Sequence, residues 1–116
     1  MLQIFNLEMA LKVTDNDNDL LQEIIQMFKS EKMTLLNAVS DGIQSKNLDK
    51  IKTSGHSIKG TLVTIGAEIC ADLAFQIENT KTTEEIPTAK VLLKTLKSEI
   101  EKFIIEAKEK LKTVNQ

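Results

Sequence analysis

Residues 48–79 read LDKIKTSGHSIKGTLVTIGAEICADLAFQIEN and indicate a helical protein, because one apolar stripe runs through them at steps of three and four residues. The stripe consists of Leu48, Ile51, Gly55, Ile58, Leu62, Ile65, Ile69, Leu73 and Ile77. This spacing predicts a helix over residues 48–63, a bend over residues 64–66 and a second helix that ends near Asn79. The pattern leaves open whether the helix is broken or only kinked at Gly66.

The segment before this stretch carries a similar stripe. Apolar residues recur from Leu20 to Ile43, with one gap that Met27 and Met33 bridge. This pattern predicts a helix of about 25 residues, with Asp19 as its N-cap. Residues 45–47 then form a short polar turn.

Two further helices follow from the rest of the chain. A stripe from Ala89 to Leu111 predicts a long final helix, with Pro87 in its first turn. Residues 7–13 predict a short helix near the N-terminus. Because the predicted connections are short, neighbouring helices should run antiparallel. The sequence therefore predicts an all-α protein: an antiparallel up-down four-helix bundle with a short extra N-terminal helix, as one domain over residues 1–116.

The composition excludes several classes of protein. The chain has 116 residues and a net charge of -2, which argues against a nucleic-acid-binding protein with a basic stripe. One cysteine, Cys70, and one histidine, His56, are too few for a disulfide or a His/Cys metal site, whereas a site built from carboxylates alone stays open. Residues 15–19 begin like a calcium loop, but Leu20 and Gln26 stand where such a loop needs glycine and glutamate.

The sequence also lacks the patterns of a targeting segment and of a membrane span. Glu8 interrupts the apolar residues 2–11, and no window approaches ~18 consecutive apolar residues. No glycine-rich phosphate loop is present, so no nucleotide site is predicted. We therefore expect a cytoplasmic protein that holds no cofactor of its own and contacts neither membrane nor nucleic acid.

His56 is predicted to point into solvent. At about 100° per residue it lies about 200° from Ile58, which belongs to the apolar stripe. The same exposed face carries Lys52, Lys59, Gly60 and Val63. A glycine within an exposed helix face costs about 1 kcal/mol relative to alanine. Its presence is explained if another molecule must approach the backbone beside the histidine.

This arrangement suits phosphoryl transfer. A neutral imidazole can act as a nucleophile toward phosphorus, and histidine is largely neutral near pH 7. The phosphorylated product is strongly anionic, and Lys59, one turn away, can stabilise that charge, as can Lys52 less directly.

The run His56-Ser57-Ile58-Lys59-Gly60, with Gly66 ten positions after the histidine, resembles the signature of histidine-containing phosphotransfer (HPt) domains. The resemblance covers nearly the whole chain, although the flanking segments match at the level of pattern only. The family commonly has alanine where Gly55 stands and a smaller residue where Val63 stands. Gly55 lies on the inner stripe, where close helix packing explains it.

The resemblance implies a role for each residue of this face. His56 is the phosphoacceptor, Lys59 stabilises the phosphoryl charge and Gly60 gives an incoming receiver domain access. Glu78 orients the imidazole from the next helix. Val63 and Lys52 contribute to partner binding, and we expect apolar residues of the preceding helix to join the same docking face.

By this resemblance the protein is a phosphoryl carrier of a multistep phosphorelay and not an ATP-dependent kinase. Its partners are response-regulator receiver domains, which supply Mg²⁺, and a hybrid sensor histidine kinase, and it acts as a monomer. An alternative is an adaptor bundle that binds receivers or partner helices without transferring phosphate. Two weaker alternatives are a hydrolase with His56 as general base and a phosphatase-type regulator in which Glu78 positions water.

Overall fold

The computed structural model of the chain describes residues 1–114, which form five α-helices and no strand. The helices are α1 (Leu7–Val13), α2 (Asn18–Gln44), α3 (Leu48–Thr64), α4 (Glu68–Glu78) and α5 (Ile86–Val114). A 3₁₀ turn, Thr83–Glu85, precedes α5. The predicted all-α fold with an extra N-terminal helix is confirmed.

The start of α2 differs from the prediction. Asp17, and not Asp19, caps this helix, since its carboxylate accepts a hydrogen bond from the backbone N–H of Leu20 at 2.9 Å. The reason lies in the two preceding residues, Asp15 and Asn16, which both have positive φ angles (53° and 61°). They end the turn early and leave Asp17 in the extended conformation that an N-cap requires.

Gly66 separates α3 from α4 as a true break in the helix. Its φ angle is +73°, and a Cβ atom at this position would lie 2.5 Å from the backbone oxygen of Asn6. The N-terminal segment fills this place: the Asn6 N–H donates to the Gly66 carbonyl at 2.8 Å, and the Ile69 N–H donates to the Gln3 carbonyl at 3.1 Å. Glycine is needed here for both conformation and space.

The four long helices form a ring in which α2 and α4 each pack against both α3 and α5. The connections are residues 45–47, 65–67 and 79–85, and the first two are short enough to require antiparallel neighbours. Within residues 1–114, no helix is long and apolar enough to cross a membrane.

The core contains nearly all of the predicted apolar stripes, with three exceptions on α2: Leu20, at the start of the helix, is exposed, and so are two methionines. Met27 and Met33 are exposed, so the prediction that they bridge the gap in the stripe is wrong. Both lie roughly 100–140° around the helix from the face that buries Leu21, Phe28 and Val39. Helical geometry therefore directs both side chains away from the core.

Candidate functional site

His56 lies near the middle of α3 and points away from the core. Its side chain is 68% exposed, whereas Ile58, two residues later, is completely buried. The imidazole Nδ1 lies 3.0 Å from Oε2 of Glu78. An ionised carboxylate can only accept hydrogen bonds, so Nδ1 carries the proton and donates it. In the neutral ring, Nε2 is then the nitrogen with the free lone pair.

Glu78, the last residue of α4, joins two residues of α3. Its Oε1 lies 2.9 Å from the Lys59 Nζ, while Oε2 bonds His56. The carboxylate is only 14% exposed. The Lys59 ammonium holds the pKa of Glu78 below its ordinary value against the opposing effect of burial, and the contact with His56 lowers it further. Glu78 is therefore anionic at neutral pH.

Gly55 explains how Glu78 reaches this position. A Cβ atom at residue 55 would lie 3.1 Å from both the backbone nitrogen and the Cα of Glu78. The α4 backbone thus rests directly on α3, one residue before His56. This is the close helix packing that the inner position of Gly55 predicts.

Lys59 is held more firmly than the sequence indicates. Besides its ion pair with Glu78, its ammonium group lies over the ring of Phe75, 5.3 Å from the ring centroid. As a result the side chain is only 24% exposed. Lys52, in contrast, is exposed and borders a shallow depression that also includes His56 and Glu78.

Gly60 is exposed and open, since an added Cβ would meet nothing within 4 Å. Val63, one turn further along α3, lines an apolar groove of about 290 Å³. The other apolar side chains that line it belong to Leu2, Met9, Ala71 and Phe75. These residues come from the N-terminal segment, α1 and α4, whereas the sequence analysis expected the preceding helix, α2, to supply them.

The sequence analysis missed Phe75. Its position gave a signal, because Phe75 precedes Glu78 by three residues and lies off the buried stripe of α4. A large aromatic residue outside the stripe of an amphipathic helix calls for a partner, and here the partner is Lys59. Among the described residues, no group of three or more His, Cys, Asp or Glu side chains is placed to hold a metal ion.

The comparison with known proteins agrees with this architecture. The model of the Hpt domain family matches residues 23–104, which is most of the chain. No curated protein and no solved structure matches this chain. Because the matched residues run through all four helices of the bundle and include His56, this chain belongs to the Hpt domain family, whose members carry phosphoryl groups on a histidine in phosphorelays.

Proposed function

We propose that this protein carries a phosphoryl group on Nε2 of His56 between receiver domains of a multistep phosphorelay. The observation that carries the proposal is an exposed imidazole whose other nitrogen is bonded to an anionic, mostly buried carboxylate. In the forward step Nε2 attacks the phosphorus of a receiver's aspartyl phosphate. The P–N bond forms as the P–O bond breaks, and the electron pair of that bond returns to the aspartate.

Glu78 supports this attack through charge. As Nε2 donates its lone pair, the imidazole ring becomes positive, and the carboxylate 3.0 Å from Nδ1 stabilises that charge. In the neutral imidazole the same hydrogen bond places the proton on Nδ1, so that Nε2 is the nitrogen with the free lone pair. Glu78 thus acts on the tautomer and on the charge that develops, without taking part in bond formation.

Lys59 and Gly60 serve the incoming phosphoryl group and the domain that brings it. Lys59 is one helical turn from His56 and supplies positive charge, with Lys52 more distant on the same face. Gly60 offers no side chain to obstruct a receiver's aspartate. Val63 and its groove add an apolar contact surface on the same face of α3, two turns from His56.

The remaining chemistry belongs to the partner. In this proposal the receiver brings the Mg²⁺ site, and a hybrid sensor histidine kinase stands upstream. The chain works as a monomer in the cytoplasm and has no kinase activity of its own. Transfer is reversible, because phosphohistidine and phosphoaspartate are both high-energy species.

Phosphoryl transfer from a panel of labelled receiver domains tests the proposal, with wild type compared with His56→Gln. We expect acid-labile, alkali-stable label on wild type and none on the variant. Circular dichroism should show the same helical signal for both, because an exposed helix residue contributes little to stability. Receivers that bind the wild-type protein but never label it would instead support the adaptor function.

A further inference from the structure

Phe75 takes no part in the phosphoryl-transfer step above, yet it is a large aromatic residue that is 48% exposed and lies against Lys59. It lies on α4 one turn before Glu78, so both residues face α3 at the same place. We infer that Phe75 is a positioning residue for phosphotransfer, which acts by holding the Lys59 ammonium beside His56. The inference rests on the proposed function.

Lys59 needs the support of Phe75 because its ion pair with Glu78 is challenged when a phosphoryl group arrives. A lysine ammonium is a point charge at the end of a flexible four-carbon chain. In the resting protein Glu78 Oε1 holds it at 2.9 Å. When a phosphoryl group arrives at His56, its oxygens compete with Glu78 for the same ammonium. Electrostatic attraction alone would let Lys59 follow either anion or turn to solvent.

The ring of Phe75 holds the ammonium whichever anion it bonds. An ammonium over a ring face at 5.3 Å is attracted by the ring quadrupole. Because the ring is neutral, this attraction does not use up a charge-assisted hydrogen bond of the ammonium. The three N–H donors of lysine therefore stay available for Glu78 and then for a phosphoryl oxygen. Phe75 thus keeps Lys59 near His56 while its hydrogen bonds move from one anion to the other.

Phe75 also lines the groove next to Val63, so a purely docking role must be distinguished. A docking residue changes the receiver concentration that gives half-maximal transfer, whereas a positioning residue changes the rate at saturating receiver. Phe75→Leu keeps an apolar side chain in the groove and removes the ring. Phe75→Tyr keeps the ring face, and Val63→Ala changes the same groove without touching Lys59.

The experiment is single-turnover phosphotransfer from one phosphorylated receiver to wild type and to these variants, over a range of receiver concentrations. We expect Phe75→Leu to lower the saturated rate by roughly two- to fivefold, the equivalent of an exposed cation–π contact, and Phe75→Tyr to restore it. Val63→Ala should raise the half-saturating concentration instead. In a Lys59→Met background, Phe75→Leu should have no further effect on the saturated rate.

A second measurement follows Lys59 without any receiver. The ring should shift the Lys59 Hε resonances upfield in the proton NMR spectrum, and Phe75→Leu should abolish that shift. If wild type accepts phosphate and Phe75→Leu changes only the half-saturating concentration, the positioning role is wrong while the proposed function stands. If wild type accepts no phosphate from any receiver, the proposed function fails and the inference fails with it.

Discussion

Two helix pairs of this bundle are built in opposite ways. Between α2 and α5, large aromatic side chains fill the space: Phe28 and Phe103 are buried with ring centroids 6.4 Å apart, and Phe5 packs on Phe103 edge-to-face at 5.3 Å. Between α3 and α4, Gly55 removes the side chain altogether and lets the backbones touch at Glu78.

One helix pair mainly stabilises the fold, and the other forms the functional site. The α2–α5 pair buries apolar surface, which is the main stabilising term in folding. The α3–α4 pair brings the Glu78 carboxylate of α4 within hydrogen-bond distance of both an imidazole and an ammonium of α3. Side chains from adjacent helices can form one functional site only if the two backbones lie close together. A glycine where the helices cross allows that close approach.

The largest expected effect comes from the aromatic packing between α2 and α5. Phe103→Ala should lower the free energy of unfolding by about 3–5 kcal/mol, because it removes a fully buried ring and leaves a cavity between α2 and α5. Urea denaturation measures this change. Transfer to the folded fraction should be unaffected. A loss of transfer that exceeds the loss of folded protein would show that the two helix pairs are coupled.

Gly55→Val tests the close packing of α3 against α4. Its new side chain meets the α4 backbone 3.1 Å from the Glu78 Cα, so α4 must move away at a cost of about 1–3 kcal/mol. The contacts of Glu78 with His56 and Lys59 should lengthen with it, and phosphotransfer should slow even in protein that remains folded. Normal transfer by folded Gly55→Val would mean that the close approach of α3 and α4 has no part in function.

Gly60→Leu is the counterpart on the open face of α3. Nothing lies within 4 Å of the new Cβ, so the variant should gain up to about 1 kcal/mol in unfolding free energy from helix propensity. The bulkier side chain should nevertheless block receiver docking and reduce transfer. Gly60→Ala serves as the control, with a similar gain in stability and a smaller loss of transfer. Equal transfer rates for all three proteins would contradict the access role of Gly60.

The smallest expected effect is on the pH dependence of the unfolding free energy, and it involves two glutamates whose pKa values are both lowered. Lys59 lowers the pKa of Glu78 across helices, whereas the backbone N–H groups of Lys81 and Thr82 lower that of Glu85 within one turn. A carboxyl with a lowered native pKa binds fewer protons in the folded state. Its stabilisation is complete above the ordinary value of 4.5 and is lost as the pH falls through the native pKa.

We therefore expect the unfolding free energy of wild type to fall between neutral pH and pH values below 4.5, and to fall less for Glu78→Gln and for Glu85→Gln. Only Glu78→Gln should also slow phosphotransfer. Urea denaturation at several pH values, with transfer assays on the same proteins, measures both. An unchanged pH dependence in Glu78→Gln would mean that its contact with Lys59 does not stabilise the fold.

Most of the fold was predictable because helix formation depends on neighbours along the chain. The predicted short helix over residues 7–13 coincides with α1, and α3 and α4 end within one residue of their predicted limits. The errors were local as well. Asp17 replaced Asp19 as the cap because the conformation of the preceding two residues is not visible in a pattern of residue types.

Some features of the functional site were likewise predictable from the sequence, and others depend on how the helices pack. The outward direction of His56 and the inner position of Gly55 follow from rotation about one helix axis, so the residue pattern alone predicts them. That Glu78 lies between His56 and Lys59, and that Phe75 lies under the ammonium of Lys59, depends on the separation and relative rotation of two helices. A residue pattern contains angles about an axis but no distances between axes. Only the packing of α4 against α3 decided those contacts.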